Sequence, residues 1–310
     1  MGISPIQGNT YVLHTNYNNA ELQKEHSKNC AIASNTMQAD TVSFGAAAKK
    51  GFMKSMLNKI SNFFQKKISR LAEKNAARIK AKKLKKIEAM GIFDEGDINF
   101  LKECVPSKKL DFIAPLHKKV KRPDGTGLSK NEILDIMICS DEPKLNLNSV
   151  IEAAKIVDKN GKPMLKGRDI ATLHNLNLNK SDFAFAQDYA QKETSTNKDL
   201  VHIMIARKIN RNFTEDLMKV KRKDGKQALD AARIQSFVEN KVSPKKLPFT
   251  QQLAEIEDNG IPRFSGEEIE ILSKNLDSDM FDKVIELAAK KDENGKFSYN
   301  GKNIVKQLKA

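Results

Sequence analysis

Residues 124–137 read DGTGLSKNEILDIM, and residues 259–272 read NGIPRFSGEEIEIL. Both stretches hold an Asx-Gly pair, then a serine four or five residues after the glycine, and then a glutamate three residues after the serine. Asx-Gly supplies the positive φ of a tight turn. Ser-x-x-Glu is the capping box that starts a helix. Each stretch therefore predicts a turn that is followed at once by a helix.

The pattern returns along the chain at spacings of 30 to 37 residues. An apolar residue marks each repeat, and these residues are Ile98, Ile133, Ile170, Leu200, Ile234, Ile269 and Ile304. Four residues earlier stand the predicted N-caps Asp94, Ser129, Lys166, Thr196, Asp230, Ser265 and Asn300. Turn glycines precede five of the caps, at Gly125, Gly161, Gly225, Gly260 and Gly295. We expect the apolar residues, and those three positions later, to form buried rows.

A longer amphipathic segment is predicted before each turn, for example residues 150–157, so one repeat consists of a helix, a turn, a cap and a short helix. A repeat of this size cannot bury its apolar face alone and is stable when it stacks on its neighbours. We therefore expect an all-α protein, with a helical-repeat solenoid of about seven ~35-residue helix-turn-helix units over residues 92–310.

The Asx-Gly turn followed by paired helices resembles the ankyrin or HEAT class of α-helical repeat architecture over residues 92–310. The Thr-Pro-Leu-His tetrad of ankyrin repeats and the Trp-Gly-Tyr pattern of tetratricopeptide repeats are missing from the sequence, so the resemblance reaches no particular family. It implies a long, rigid surface of the kind that binds other proteins.

The basic charge of the chain is concentrated in residues 49–91. The sequence has 54 Lys and Arg against 39 Asp and Glu, but between Lys49 and Lys86 fourteen cations stand against one acid, Glu73. Apolar residues recur there at helical spacing, at Met53, Leu57, Ile60, Phe64, Ile68 and Leu71. We therefore predict a basic amphipathic helix that ends near Gly91.

This helix is a candidate for binding an anionic surface, which could be a membrane or a nucleic acid. The candidate cations are Lys54, Lys59, Lys66, Lys67, Arg70, Lys74, Arg78, Lys80, Lys82, Lys83, Lys85 and Lys86. The candidate membrane-facing apolar residues are Phe52, Met56, Ile60, Phe63 and Phe64. Residues 1–48 are rich in Asn, Ser and Thr and carry few charges, so we expect a disordered polar tail there.

The sequence offers no motif for catalysis or for binding a metal or cofactor. Phosphate-binding loops, nucleophile elbows and His-Glu-x-x-His are absent, and the register of the Asx-Gly turns does not fit a calcium loop. Cys104 and Cys139 fall at one position of adjacent repeats, where we expect small core residues. We therefore expect neither an enzyme nor a cofactor or metal.

The main functional expectation is a non-enzymatic scaffold for protein–protein interaction, binding a protein partner through an extended helical-repeat surface. The three scattered cysteines indicate a reducing compartment, and the first residues lack the layout of a secretory signal, so we expect a cytoplasmic protein. An alternative is a secreted bacterial effector, with residues 1–48 as a polar leader for export by a non-classical route.

Overall fold

The computed structural model describes the backbone of residues 50–141 and 145–310, and the side chains from residue 65 onward within those ranges. Over these residues the chain is mostly helical, as predicted for the all-α class, with two short strands. The chain divides into two units, residues 1–69 and residues 70–310.

Fourteen α-helices follow one another in the described part of the chain. They are α1 (Lys50–Glu88), α2 (Glu95–Cys104), α3 (Ile113–Lys119), α4 (Lys130–Cys139), α5 (Leu147–Ala154), α6 (Gly167–Asn175), α7 (Lys180–Ala190), α8 (Asn197–Ile209), α9 (Arg211–Leu217), α10 (Ala231–Glu239), α11 (Leu247–Ala254), α12 (Gly266–Asn275), α13 (Phe281–Ala289) and α14 (Gly301–Lys309). Short 3-10 helices lead into α3, α11 and α13, at Lys109–Phe112, Pro244–Lys246 and Ser278–Met280. The even-numbered helices begin at the predicted caps and are called the capped helices below. The odd-numbered helices from α3 to α13 are called the intervening helices.

Every capped helix begins directly after its predicted N-cap residue. Six of these cap side chains accept a hydrogen bond from a backbone N–H of the first turn. At α4 the arrangement is reciprocal, since the Ser129 hydroxyl accepts from Glu132 N–H at 3.3 Å and the Glu132 carboxylate accepts from Ser129 N–H at 3.0 Å. At Lys166 the backbone N–H donates to the Asp169 carboxylate instead, at 3.2 Å. Local side-chain bonds thus fix where each capped helix starts.

The predicted apolar rows lie in the core. Six of the seven aligned residues, from Ile133 to Ile304, are buried, and Ile98 is half-buried. Three positions later, Leu101 and its five apolar equivalents are buried, whereas the seventh, Gln307, is exposed.

The capped helices pack in series, with α4 against α6, α6 against α8, α8 against α10, α10 against α12, and α12 against α14. From α4 onward, each also packs against the intervening helix that precedes it. The buried apolar side chains form two clusters that meet at α8, which contributes Leu200 and Met204 to one and Ile203 and Ala206 to the other.

The five Asx-Gly turns have two geometries, although all five glycines have the predicted positive φ. At Gly125, Gly161, Gly225 and Gly295 the glycine N–H donates to the carbonyl three residues earlier, at 2.9–3.0 Å. Around Gly260, strand β1 (Glu257–Asp258) pairs antiparallel with β2 (Ile261–Pro262). Asn259 has φ 51° and Gly260 has φ 77°. Two consecutive positive φ angles are those of a two-residue type I′ hairpin.

Helix α1 ends at Glu88, and Gly91 follows with φ 70°, as predicted. Its last turns pack on the chain that follows them. Leu84 and Ile87 are 6% and 3% exposed and belong to the first apolar cluster. Lys83 Nζ donates to the Ser107 carbonyl at 2.9 Å.

Two sequence predictions are wrong. The intervening helices are not the longer ones, since they have 7–11 residues against 9–13 in the capped helices. The 3-10 helices before α3, α11 and α13 take up part of the chain predicted as longer helix.

Cys104 is exposed rather than buried, and Cys139 is half-buried. Cys104 and Cys139 are the last residues of α2 and α4, whereas α8 continues for three residues beyond the buried Ala206.

Candidate interaction surface

The exposed turns are held in shape by their own aspartates. Asp158 Oδ1 accepts hydrogen bonds from the backbone N–H groups of Asn160 at 2.8 Å and Lys162 at 2.9 Å. Asp124 and Asp224 accept the corresponding bonds from the residue two positions on, both at 2.9 Å. Backbone hydrogen bonds lower the pKa of the Asp158 and Asp224 carboxyl groups, and a bond from the Thr126 hydroxyl followed by the one from its N–H lowers the pKa of Asp124, so all three stay ionised at neutral pH. The turns are therefore ordered although they lie in solvent.

Two of the turns are also bonded to the intervening helix that follows them. Gln187 in α7 accepts from Val157 N–H at 3.2 Å and donates to the Val157 carbonyl at 3.0 Å. Gln251 in α11 does the same to Lys221, at 3.2 Å and 2.8 Å. Each glutamine lies 30 residues after the residue that it holds. We call these two pairs the glutamine clamps.

A groove opens beside each glutamine clamp, between successive intervening helices. The first groove, between α5 and α7, has a volume of about 670 Å³, and the second, between α9 and α11, about 230 Å³. All six residues that line the second groove have an equivalent in the first groove 64 positions earlier. These residues are Glu152, Lys155, Ile156, Phe183, Ala184 and Gln187 in the first groove, and Asp216, Lys219, Val220, Leu247, Pro248 and Gln251 in the second.

The shared positions have the same chemistry in both grooves. An ion pair lies in each, Glu152 with Lys155 and Asp216 with Lys219, and both N–O distances are 3.0 Å. The side-chain amide of the glutamine is hydrogen-bonded to the backbone of the turn, and the remaining three shared positions are apolar. The shared positions of each groove therefore offer an apolar surface beside a neutralised ion pair, which suits an apolar side chain of a partner better than a free anion or cation.

The cations of the turns divide into exposed and buried ones. Two basic sequences precede Asp-Gly turns, at 118–122 and 219–223, and their lysines are exposed. Arg122, in contrast, is buried, bonds the Glu132 carboxylate and donates to the Leu165 carbonyl. Arg122 therefore holds one helical segment to the next and is not part of a surface patch.

The structure places most of the predicted cations of α1 on its surface. Eight are exposed: Lys66, Lys67, Arg70, Lys74, Arg78, Lys82, Lys85 and Lys86. Lys80 and Lys83 are half-buried, and Lys83 pairs with Asp111 at 2.6 Å. The side chains of Lys54, Lys59, Phe52, Met56, Ile60, Phe63 and Phe64 lie outside the described residues, as does the predicted tail, residues 1–48.

Two reactive side chains of the described residues, His174 and Cys139, have structural environments. His174 is buried, its Nε2 accepts from Asn146 N–H at 3.0 Å, and its Nδ1 lies 3.1 Å from Asn175 Oδ1. Burial raises the pKa of the Cys139 thiol, which disfavours the nucleophilic thiolate. No cluster of His, Cys, Asp and Glu suited to a metal ion occurs where the structure describes the chain.

The grooves and the glutamine clamps were missed at the level of sequence. The one signal that could have found them is the recurrence of a glutamine 30 residues after the residue that it holds. Among the described helices, none has the length and apolarity needed to cross a bilayer. Comparison with protein-family models, with curated proteins and with solved structures gave no match.

Proposed function

We propose that this chain is a non-enzymatic scaffold for protein–protein interaction, built as a helical-repeat solenoid of about seven units in the ankyrin or HEAT class. The serial packing of the capped helices and their common start at N-caps support this architecture. A stack of this kind places the turns of successive units side by side, and a partner can contact several turns at once.

The observation that carries the proposal is the equivalence of the two grooves. Six positions of the first groove recur 64 residues later with the same kinds of side chain. Two equivalent grooves on one rigid stack fit a partner that inserts apolar side chains at two points. Once the first contact has formed, the second forms at a raised effective concentration. Each contact can therefore be weak while binding of the partner is still specific.

The test is site-specific photo-crosslinking in the cells that make the protein. The crosslinker p-benzoylphenylalanine replaces Ala184 in the first groove or Pro248 in the second, both of which are exposed. The matched controls are Ser181 in α7 and Gln252 in α11, which are exposed and lie outside the two grooves. We expect the same partner protein to be crosslinked from both groove positions and from neither control.

Two results would contradict this function. One is the absence of any crosslinked protein at both groove positions. The other is an equal yield from the groove positions and from Ser181 and Gln252, which would indicate random collision with the surface.

A further inference from the structure

The middle of α1 is uncovered on all sides. From residue 65 to residue 82 every side chain is exposed except Lys80, which is half-buried. The exposed residues include three large apolar ones, Ile68 at 64%, Leu71 at 56% and Ile79 at 52%. Burying apolar side chains is favourable, and these three gain nothing while they stay in water. Three of them on one helix form a surface that a partner could cover.

Leu71 lies on a different side of α1 from the side chains that anchor its last turns. At about 100° per residue, Leu71 is about 140° from Leu84 and about 160° from Ile87 around the helix axis. Leu84 and Ile87 are the residues that pack into the core. The anchoring of the last turns therefore leaves the side of Leu71 free.

Cations flank the exposed apolar residues. Lys67, Lys74 and Arg78 are four, three and seven positions from Leu71, which places them within about 60° of it around an ideal helix. The one acid of the segment, Glu73, is about 160° away from Leu71 on the same reckoning. We call the side formed by Lys67, Ile68, Leu71, Lys74, Arg78 and Ile79 the outer face of α1.

The cations of this helix are free to bind an external anion. Within the part of the chain whose side chains are described, those from Lys66 to Lys82 form no salt bridge, and the first pair along the chain is Lys83 with Asp111. An anionic partner therefore has no internal ion pair to break before it binds.

We propose that the outer face of α1 binds the surface of an anionic lipid bilayer. Ile68, Leu71 and Ile79 enter the region between headgroups and acyl chains, and Lys67, Lys74 and Arg78 reach the phosphate and carboxylate groups above them. A nucleic acid would use the cations alone and leave the apolar residues in water, whereas a bilayer uses both. This inference is independent of the proposed protein partner, because the grooves lie elsewhere in the chain.

The test uses the full chain and co-sedimentation with vesicles, either of phosphatidylcholine alone or of phosphatidylcholine with phosphatidylserine. The double variant Leu71→Ser/Ile79→Ser removes apolar contacts of the outer face and keeps every charge. Its matched control is Ile138→Ser/Ile285→Ser, at positions 46% and 41% exposed on α4 and α13. Circular dichroism checks that both double variants fold, and the retention of a short DNA duplex in a gel measures binding to phosphate alone.

We expect binding to the phosphatidylserine vesicles only, weakened about tenfold or more by Leu71→Ser/Ile79→Ser and unchanged by the control variant. The DNA retention, if any, should be equal in the two variants. Equal binding to both vesicle types, no binding to either, or equal vesicle binding by the outer-face variant and the wild type would overturn the proposal. The last result together with tight DNA retention would assign α1 to nucleic acid.

Discussion

Gln187 and Val157 are joined by two hydrogen bonds, one from the Val157 N–H and one to the Val157 carbonyl. The amide of Gln187 thereby takes the place that a neighbouring strand would have beside the turn. Because Gln191 also donates to the Val157 carbonyl, at 2.9 Å, the N–H is the group that depends on Gln187.

Replacing Gln187 by Leu should leave the Val157 N–H without its partner. We expect a loss of about 1–2 kcal/mol in the free energy of unfolding, because a desolvated donor is then unpaired. Hydrogen exchange at Val157 should speed up by a larger factor than exchange in α8, which changes only through the loss of global stability. Gln252→Leu, at an exposed position of α11, is the control and should change neither quantity. Unaltered exchange at Val157 in the Gln187 variant would contradict the role of the clamp.

Gly167→Ala should destabilise the protein strongly. A Cβ at this first residue of α6 would lie 2.6 Å from the Glu132 carbonyl oxygen and 2.7 Å from the Glu132 Cα. Backbone atoms must then move apart, and we expect a cost of about 1–3 kcal/mol in chemical denaturation. Gly96→Ala in the first turn of α2 is the matched control, since its Cβ would meet only an Asp94 side-chain oxygen, at 3.2 Å. Equal stabilities of the two variants would refute the close approach.

Gly260→Val tests the type I′ hairpin. A β-branched residue takes φ 77° only with strain, so we expect a loss of about 1–3 kcal/mol in stability. Its neighbour Ile261 is 69% exposed, and Ile261→Val there should leave the melting temperature almost unchanged. A melting temperature of the Gly260 variant equal to that of wild type would rule out the left-handed conformation.

Ile87→Ala and Ile79→Ala distinguish the packed last turns of α1 from its uncovered middle. Ile87 is 3% exposed in the first apolar cluster, and its truncation should cost about 2–4 kcal/mol in urea denaturation. Ile79 is 52% exposed, so the same change there should stay within about 0.5 kcal/mol. Equal effects would mean that the last turns of α1 do not belong to the core.

Glu270 should make stability depend on pH. Burial of its carboxyl group acts to raise the pKa, but hydrogen bonds from Lys274, Ser236 and Arg233 outweigh burial, and the pKa in the folded protein is lowered from 4.5. The ionised form therefore stabilises the fold above pH 4.5, and this contribution is lost as the pH falls through the lower, folded-state pKa.

Chemical denaturation across this pH range measures the effect. The stability difference between wild type and Glu270→Gln should be largest at neutral pH and should shrink as the solution is acidified below pH 4.5. The control Glu103→Gln, at an exposed position, should show no such trend. A difference for Glu270 that is constant with pH would contradict the assignment.

The parts of the fold that follow from sequence are those decided within a few residues. Ser129 and Glu132 are three positions apart, so their capping box is visible in the chain and predicts the start of α4. The clamp of Val157 joins residues 30 positions apart, and no local pattern encodes it. Lys109 shows the same limit. Its Nζ is buried against the carbonyls of Met137 and Ser140, but nothing in the neighbouring sequence distinguishes it from the exposed lysines. Long-range packing decides whether such a charge lies in solvent or caps a helix.

Three capped helices, α6, α12 and α14, begin with a glycine pressed against the preceding capped segment, at Gly167, Gly266 and Gly301. At Gly167 and Gly266 the nearest atom of the neighbour is a backbone oxygen, so the distance between successive segments is set by main chain touching main chain. Contacts between backbone atoms do not change when side chains elsewhere are replaced. Exposed residues of the turns and grooves can therefore be replaced while the spacing at these two junctions stays the same.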